Sequence, residues 1–157
     1  MWAKFRKQQA VEREQLRRLL ATMQPVLAKC REERPTEIEL SALAAMLHSF
    51  YTGIENIFKR VTVELDANPV RGESWHRELL DRMGRTGPRR PALLSVELRE
   101  RLQEYLGFRH VFRHAYSFEL DWEKMAPLVL NCELTLQQLE AALDQFLGSA
   151  APSEGGA

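Results

Sequence analysis

Residues 37–66, EIELSALAAMLHSFYTGIENIFKRVTVELD, decide the fold. Leu40, Leu43, Leu47, Phe50, Ile54, Ile57 and Val61 recur at spacings of three and four, the period that keeps apolar side chains on one side of an α-helix. One face of a long helix is therefore expected to be buried. On its N-terminal side, Thr36 followed by Glu39 has the form of a capping box. On its C-terminal side Asn68-Pro69 stops it, because proline cannot donate to the preceding turn.

The rest of the chain reads outward from this helix. Residues 1–34 form a helix with the stripe Leu16, Leu19, Met23, Val26 and Cys30, kinked by Pro25. After Gly72-Glu73-Ser74 a short helix runs from Trp75 to Met83, with Ser74 as N-cap. Thr86-Gly87-Pro88-Arg89-Arg90-Pro91 is a loop, since two prolines and a glycine leave little room for regular structure. Ser95 opens a helix to about Tyr116. Asp121 caps a last one through Phe146, whose stripe is Leu128, Cys132, Leu136, Leu139, Leu143 and Phe146. No segment has the period of a strand. The expectation is an all-α, up-and-down bundle of four long helices and one short helix. It occupies a single domain, residues 1–147, and the small, glycine-rich stretch 148–157 is expected to be a disordered tail.

Composition excludes several classes. The chain has 157 residues, 45% hydrophobic and 28% charged, with 22 basic and 22 acidic residues and a formal net charge of zero. A protein that binds nucleic acid by bulk attraction alone is excluded by that balance. The charge is nevertheless uneven: residues 71–113 hold ten arginines against six acids, whereas residues 114–157 hold one lysine against seven acids. Cys30 and Cys132 form no C-x-x-C pair and fall on apolar stripes, as expected of reduced core thiols in a cytoplasmic protein. No apolar run is long enough to cross a bilayer, and the charged N-terminal stretch does not read as a signal peptide.

The chemistry concentrates in Arg109-His110-Val111-Phe112-Arg113-His114-Ala115-Tyr116. At about 100° per residue, Arg109, Arg113, His110, His114 and Tyr116 share one arc of the helix, while Phe108, Val111, Phe112 and Ala115 fall opposite it. The expectation is a helix that buries its aromatics and turns its polar arc outward. RNA cleavage without a metal needs a base for the 2′-hydroxyl, positive donors for charge on phosphorus, and an acid for the departing oxygen. Histidine and arginine supply all three, so Arg109 is assigned to the phosphate oxygens and His114 to proton transfer, with no cofactor required.

The spacing Arg109, four residues, His114, one residue, Tyr116 resembles the R-x4-H-x-Y signature of the HepT branch of the HEPN superfamily. Phe50-Tyr51-Thr52-Gly53-Ile54-Glu55 and Gly72 to Leu80 also look like HepT relatives. The resemblance implies a helical bundle that forms a homodimer around a composite site. It also implies a ribonuclease toxin of a type VII toxin–antitoxin system, acting on an RNA substrate. Its partner would be an MntA-like minimal nucleotidyltransferase antitoxin that transfers AMP to the motif tyrosine. Arg109 and His114 would be catalytic and Tyr116 the AMP acceptor.

Other readings stand beside this one. The second functional reading is a non-catalytic, nucleotide-binding regulatory partner that merely accepts AMP; the third is a structural helical protein. His110 and His114 have the spacing of a zinc pair, but they lack the glutamate of H-E-x-x-H and sit among arginines, so no metal is assigned. His110, Arg113 and Glu55 are supporting candidates, Glu55 as a carboxylate partner for an active-site arginine or histidine. Trp75 reads as a packing anchor, with base stacking as the alternative. His48 reads as a satisfied structural histidine. Arg82, Arg85, Arg89 and Arg90 are suited to RNA phosphates, with solubility or antitoxin binding as alternatives.

Overall fold

The computed structural model describes residues 1–114, 116 and 119–150 in full, and the backbone of 151–156. Its elements are α1 (Trp2–Cys30), α2 (Glu37–Arg60), a π-helical turn (Val61–Leu65), α3 (Trp75–Met83), α4 (Val96–His114), α5 (Trp122–Leu130) and α6 (Cys132–Gly156). Among the described residues no strand forms beyond an isolated bridge between Gly87 and Arg90. The fold is all-α.

The capping box that was read at Thr36 closes as expected. Glu39 N donates to Thr36 Oγ1 at 3.2 Å, and Thr36 N donates to Glu39 Oε1 at 2.9 Å. The helix it opens is more deeply enclosed than a single stripe requires. Besides Leu43, Leu47, Phe50, Ile54 and Ile57, it buries Ala44, Met46, Tyr51, Gly53, Glu55 and Phe58, because α1, α3, α4 and α5 all pack against it. The approach of α1 is close: a Cβ on Gly53 would stand 2.7 Å from Leu16 Cδ2, so only glycine admits that leucine without displacement. Each fully buried leucine or phenylalanine of α2 contributes about 1.5–3 kcal/mol relative to exposure.

α1 meets α6 through Trp2, Phe5 and Phe146, with the Phe5 and Phe146 rings edge to face at 5.8 Å. Its fully buried positions are Phe5, Gln9, Leu16, Leu20, Leu27 and Cys30. Leu19, Met23 and Val26 are only partly buried. The polar first turns are thus drawn into the core by an aromatic cluster.

Two boundaries differ from expectation. The last helix is two helices, because the chain leaves helical geometry at Asn131, with φ −106° and ψ 4°. Pro127 withholds the N–H that would bond Glu123, and Asn131 Nδ2 donates to the Pro127 carbonyl at 2.7 Å, stabilising the break. The stripe Leu128, Cys132, Leu136, Leu139, Leu143 and Phe146 is buried throughout. The second difference concerns the tail: α6 continues past Gly148, and Ala150 is buried, so its first residues are packed helix rather than the disordered segment that composition suggested.

Ser95 caps α4 through Leu98 N at 3.1 Å, and Asp121 caps α5 through Glu123 N at 3.0 Å. Ser74 occupies the N-cap position of α3, but its side chain makes no capping hydrogen bond. Tyr105 donates its hydroxyl to the Leu128 carbonyl at 2.7 Å, tying α4 to α5. This bond holds the motif helix at a fixed depth. No helix among the described residues is long and apolar enough to cross a membrane.

Candidate active site

Leu98, Leu102 and Tyr105 are the fully buried residues of α4, and all three, with Phe112, lie within about 60° of Arg109 at 100° per residue. Arg109 therefore occupies a core position on its helix. Its side chain is only 16% exposed and turns toward α2 instead of solvent. The expected outward arc is corrected at this point: His110, Arg113, His114 and Tyr116 are exposed, Arg109 is not. Val111, placed on the core face by the same reasoning, is 55% exposed. Phe108 and Phe112 do pack against the core, stacked at 6.1 Å. Ala115 lies outside the described residues.

The partner of Arg109 is Glu55, whose side chain is 2% exposed. Arg109 Nη1 donates to Glu55 Oε1 at 2.9 Å. The other carboxylate oxygen faces α3, where His76 Nδ1 lies 2.6 Å from Oε2. A buried carboxylate must have donors to be tolerated, and here one comes from α4 and one from α3. Nη1 also runs along the imidazole, 2.8 Å from Nδ1 and 3.4 Å from Nε2. Glu55, His76 and Arg109 thus form one cluster joining three helices.

The surroundings of the cluster are only partly satisfied. Arg109 Nε and the Tyr51 hydroxyl are buried without hydrogen-bond partners among the described residues. Burial, followed by the nearby Glu55 charge, pushes the Tyr51 phenol well above its ordinary value, so it stays protonated. His48, across the motif helix, has its ring 5.3 Å from that of Phe112. Its Nδ1 is buried without a partner among the described residues, which corrects the reading of His48 as a satisfied histidine. Burial lowers its pKa, and Arg109 and Arg113 lower it further. It therefore favours the neutral form.

The His76 ring lies 3.5 Å from that of Trp75, and Lys59 Nζ sits 4.5 Å from the indole centroid. The indole acts as a positioning wall for His76.

His110 and His114 pack edge to face at 5.2 Å on the last exposed turn of α4. Tyr116 is 69% exposed just beyond the helix end. Of the four loop-proximal arginines, Arg90 is lost to phosphate binding, because its side chain is buried and paired with Asp66 at 2.8 and 2.9 Å. Arg82 donates to the Asn68 carbonyl and Arg85 lies 3.7 Å from Glu78. Arg89 is exposed.

Sequence reasoning named Glu55 and Arg109 but missed His76 as their partner. The available signal was the stripe Leu98, Leu102, Tyr105, Arg109, Phe112. An arginine at a core position demands buried acceptors, and Glu55 is the one acid between Leu40 and Arg60 of α2.

A helical bundle that buries a Glu-His-Arg cluster beneath a helix ending in exposed histidines and a tyrosine defines a class of protein built around that helix. Residues 42–150 match the family of HepT-like proteins, a span from α2 into α6 that includes Glu55, His76, Arg109, His114 and Tyr116. The chain belongs to the HepT-like family. No curated protein and no solved structure matches it.

Proposed function

We propose that this chain is the toxin of a toxin–antitoxin pair, a metal-independent endoribonuclease silenced when a minimal nucleotidyltransferase antitoxin transfers AMP to Tyr116. The observation that carries this reading is the placement of Arg109: an arginine anchored through Nη1 alone, at the head of the R-x4-H-x-Y spacing, in a chain of the HepT-like family.

Anchoring through Nη1 leaves Nη2 to take a phosphate oxygen, and the permanent guanidinium charge offsets what develops on phosphorus in the transition state. His114, exposed one turn later, is open to solvent and able to move a proton. The exposed Tyr116 is accessible to a transferase. AMP attached there would add negative charge close to the phosphate-binding arginine and compete with RNA. A twofold dimer that brings two α4 ends together would provide a longer track for the strand.

The exposure of Tyr116 also suits the second reading, an AMP-accepting regulatory subunit without catalysis of its own. Growth on induction separates the two. A toxin arrests cells and becomes harmless as Arg109→Ala or His114→Ala, whereas unimpeded growth with wild-type protein refutes the toxin reading. Intact-mass analysis after co-expression with a nucleotidyltransferase tests the modification: AMP-sized increments should vanish in Tyr116→Phe. An unmodified wild-type chain would refute it.

A further inference from the structure

A carboxylate held against one imidazole nitrogen decides what the other nitrogen can do. Glu55 is buried and ionisable, and His76 Nδ1 is 2.6 Å from its Oε2. An ionised carboxylate can only accept, so the proton of this contact is assigned to Nδ1, which in a neutral ring puts the lone pair on Nε2. The ring is further fixed by the Trp75 indole at 3.5 Å. Its side chain remains 22% exposed, so it is not sealed from substrate. Arg109 Nη1 lies 3.4 Å from Nε2, and a phosphate gripped by that guanidinium brings its ribose to the same corner.

His114 has none of this preparation. It lies on an exposed turn, against the His110 ring at 5.2 Å, with no carboxylate partner among the described residues. An oriented neutral imidazole suits a general base, and a solvent-exposed one that can recharge from water suits an acid.

We propose that His76 is a catalytic residue of this site, the general base that takes the ribose 2′-hydroxyl proton, with Glu55 as its positioning residue. The inference rests on the ribonuclease reading above. In the step, the 2′-hydroxyl proton passes to His76 Nε2 and the 2′-oxygen forms a bond to phosphorus. The bond from phosphorus to the 5′-oxygen breaks, its electron pair stays on that oxygen, and His114 in its protonated form delivers a proton there. The products are a 2′,3′-cyclic phosphate and a 5′-hydroxyl. Exchange with water returns both histidines to their starting states.

The test uses purified full-length protein and a labelled single-stranded RNA of mixed sequence. His76→Asn keeps a donor where Nδ1 stands and removes Nε2; kcat should fall about 100-fold or more, with an unchanged melting midpoint. Added imidazole should restore part of the activity of His76→Gly. After carbethoxylation of the unmutated protein, mapped by mass spectrometry, molecules that carry modified His76 should be inactive whether or not His114 is also modified. This last measurement stands even if the variants fail to fold. Cleavage at the wild-type rate by folded His76→Asn, or survival of activity after His76 is modified, overturns the assignment while Arg109 and the ribonuclease reading stand. Failure of the wild-type protein to cut any RNA is a different result: it removes the ribonuclease reading and this inference together.

Discussion

Arg90 and Arg109 are both drawn in against a carboxylate, and they differ in how many donors they spend there. Arg90 gives Nε and Nη2 to Asp66 at 2.8 and 2.9 Å, and Nη1 to the carbonyls of Arg85 and Pro91 at 2.7 and 3.1 Å. Its fork is fully used, and it staples the loop after α3 to the end of the π-helical turn. Arg109 gives one nitrogen to Glu55, while Nε stays buried and unbonded among the described residues. Burial alone therefore does not separate a structural arginine from a functional one. The unspent donors do, because a guanidinium that must bind phosphate keeps part of its fork in reserve.

The sharpest way to break the comparison is to remove each arginine in turn. Arg90→Ala leaves Asp66 buried without its cation and should cost about 3–5 kcal/mol of stability, read by chemical denaturation, while the fraction still folded keeps its activity. An Arg90→Ala protein as stable as wild type contradicts the structural role. Arg109→Ala also takes a donor from buried Glu55 and so costs stability, but it should in addition lower RNA cleavage per folded molecule about 100- to 1000-fold, as for removal of one donor to a developing oxyanion. If both variants lose stability and neither loses rate per folded molecule, the distinction fails.

A smaller effect sharpens the structural half. A Cβ on Gly87 would stand 2.8 Å from both Arg90 Nε and Asp66 Oδ1, so Gly87→Ala should destabilise by about 1–3 kcal/mol through overpacking. Cleavage per folded molecule should not change. The smallest effect concerns pH. His48 has a lowered pKa in the folded chain, so the unfolded chain takes up a proton first as the solution is acidified. Stability that is full above the ordinary imidazole value is lost as pH falls through it toward the lower folded value. His48→Gln should flatten that slope in thermal melts, and an unchanged slope would rule out His48 as its source.

Much of this architecture was legible in the sequence because it is written in local pattern. The heptad of α2, the Thr36-Glu39 box and the caps at Ser95 and Asp121 are short-range features that packing left in place. The split between α5 and α6 was hidden because Leu128 and Cys132 keep the same stripe across the break, so hydrophobic period carries no mark of it. At the site, the eight-residue spacing pointed to Arg109, yet the assumption that polar side chains face water turned it the wrong way. His76 lies 33 residues from Arg109, and nothing local announces a partner brought in by the tertiary fold. Arg90 was misread for the reverse reason: four arginines near a loop look alike until one of them meets Asp66.

The most direct test of the Arg109 site is the chemistry of the ends left on RNA. Purified wild-type protein incubated with single-stranded RNA should yield fragments ending in 2′,3′-cyclic phosphate and beginning in 5′-hydroxyl, seen by mass spectrometry, and Arg109→Ala should yield essentially none. Intact RNA from the wild-type reaction, or the same fragments at the same rate from Arg109→Ala, would contradict the account.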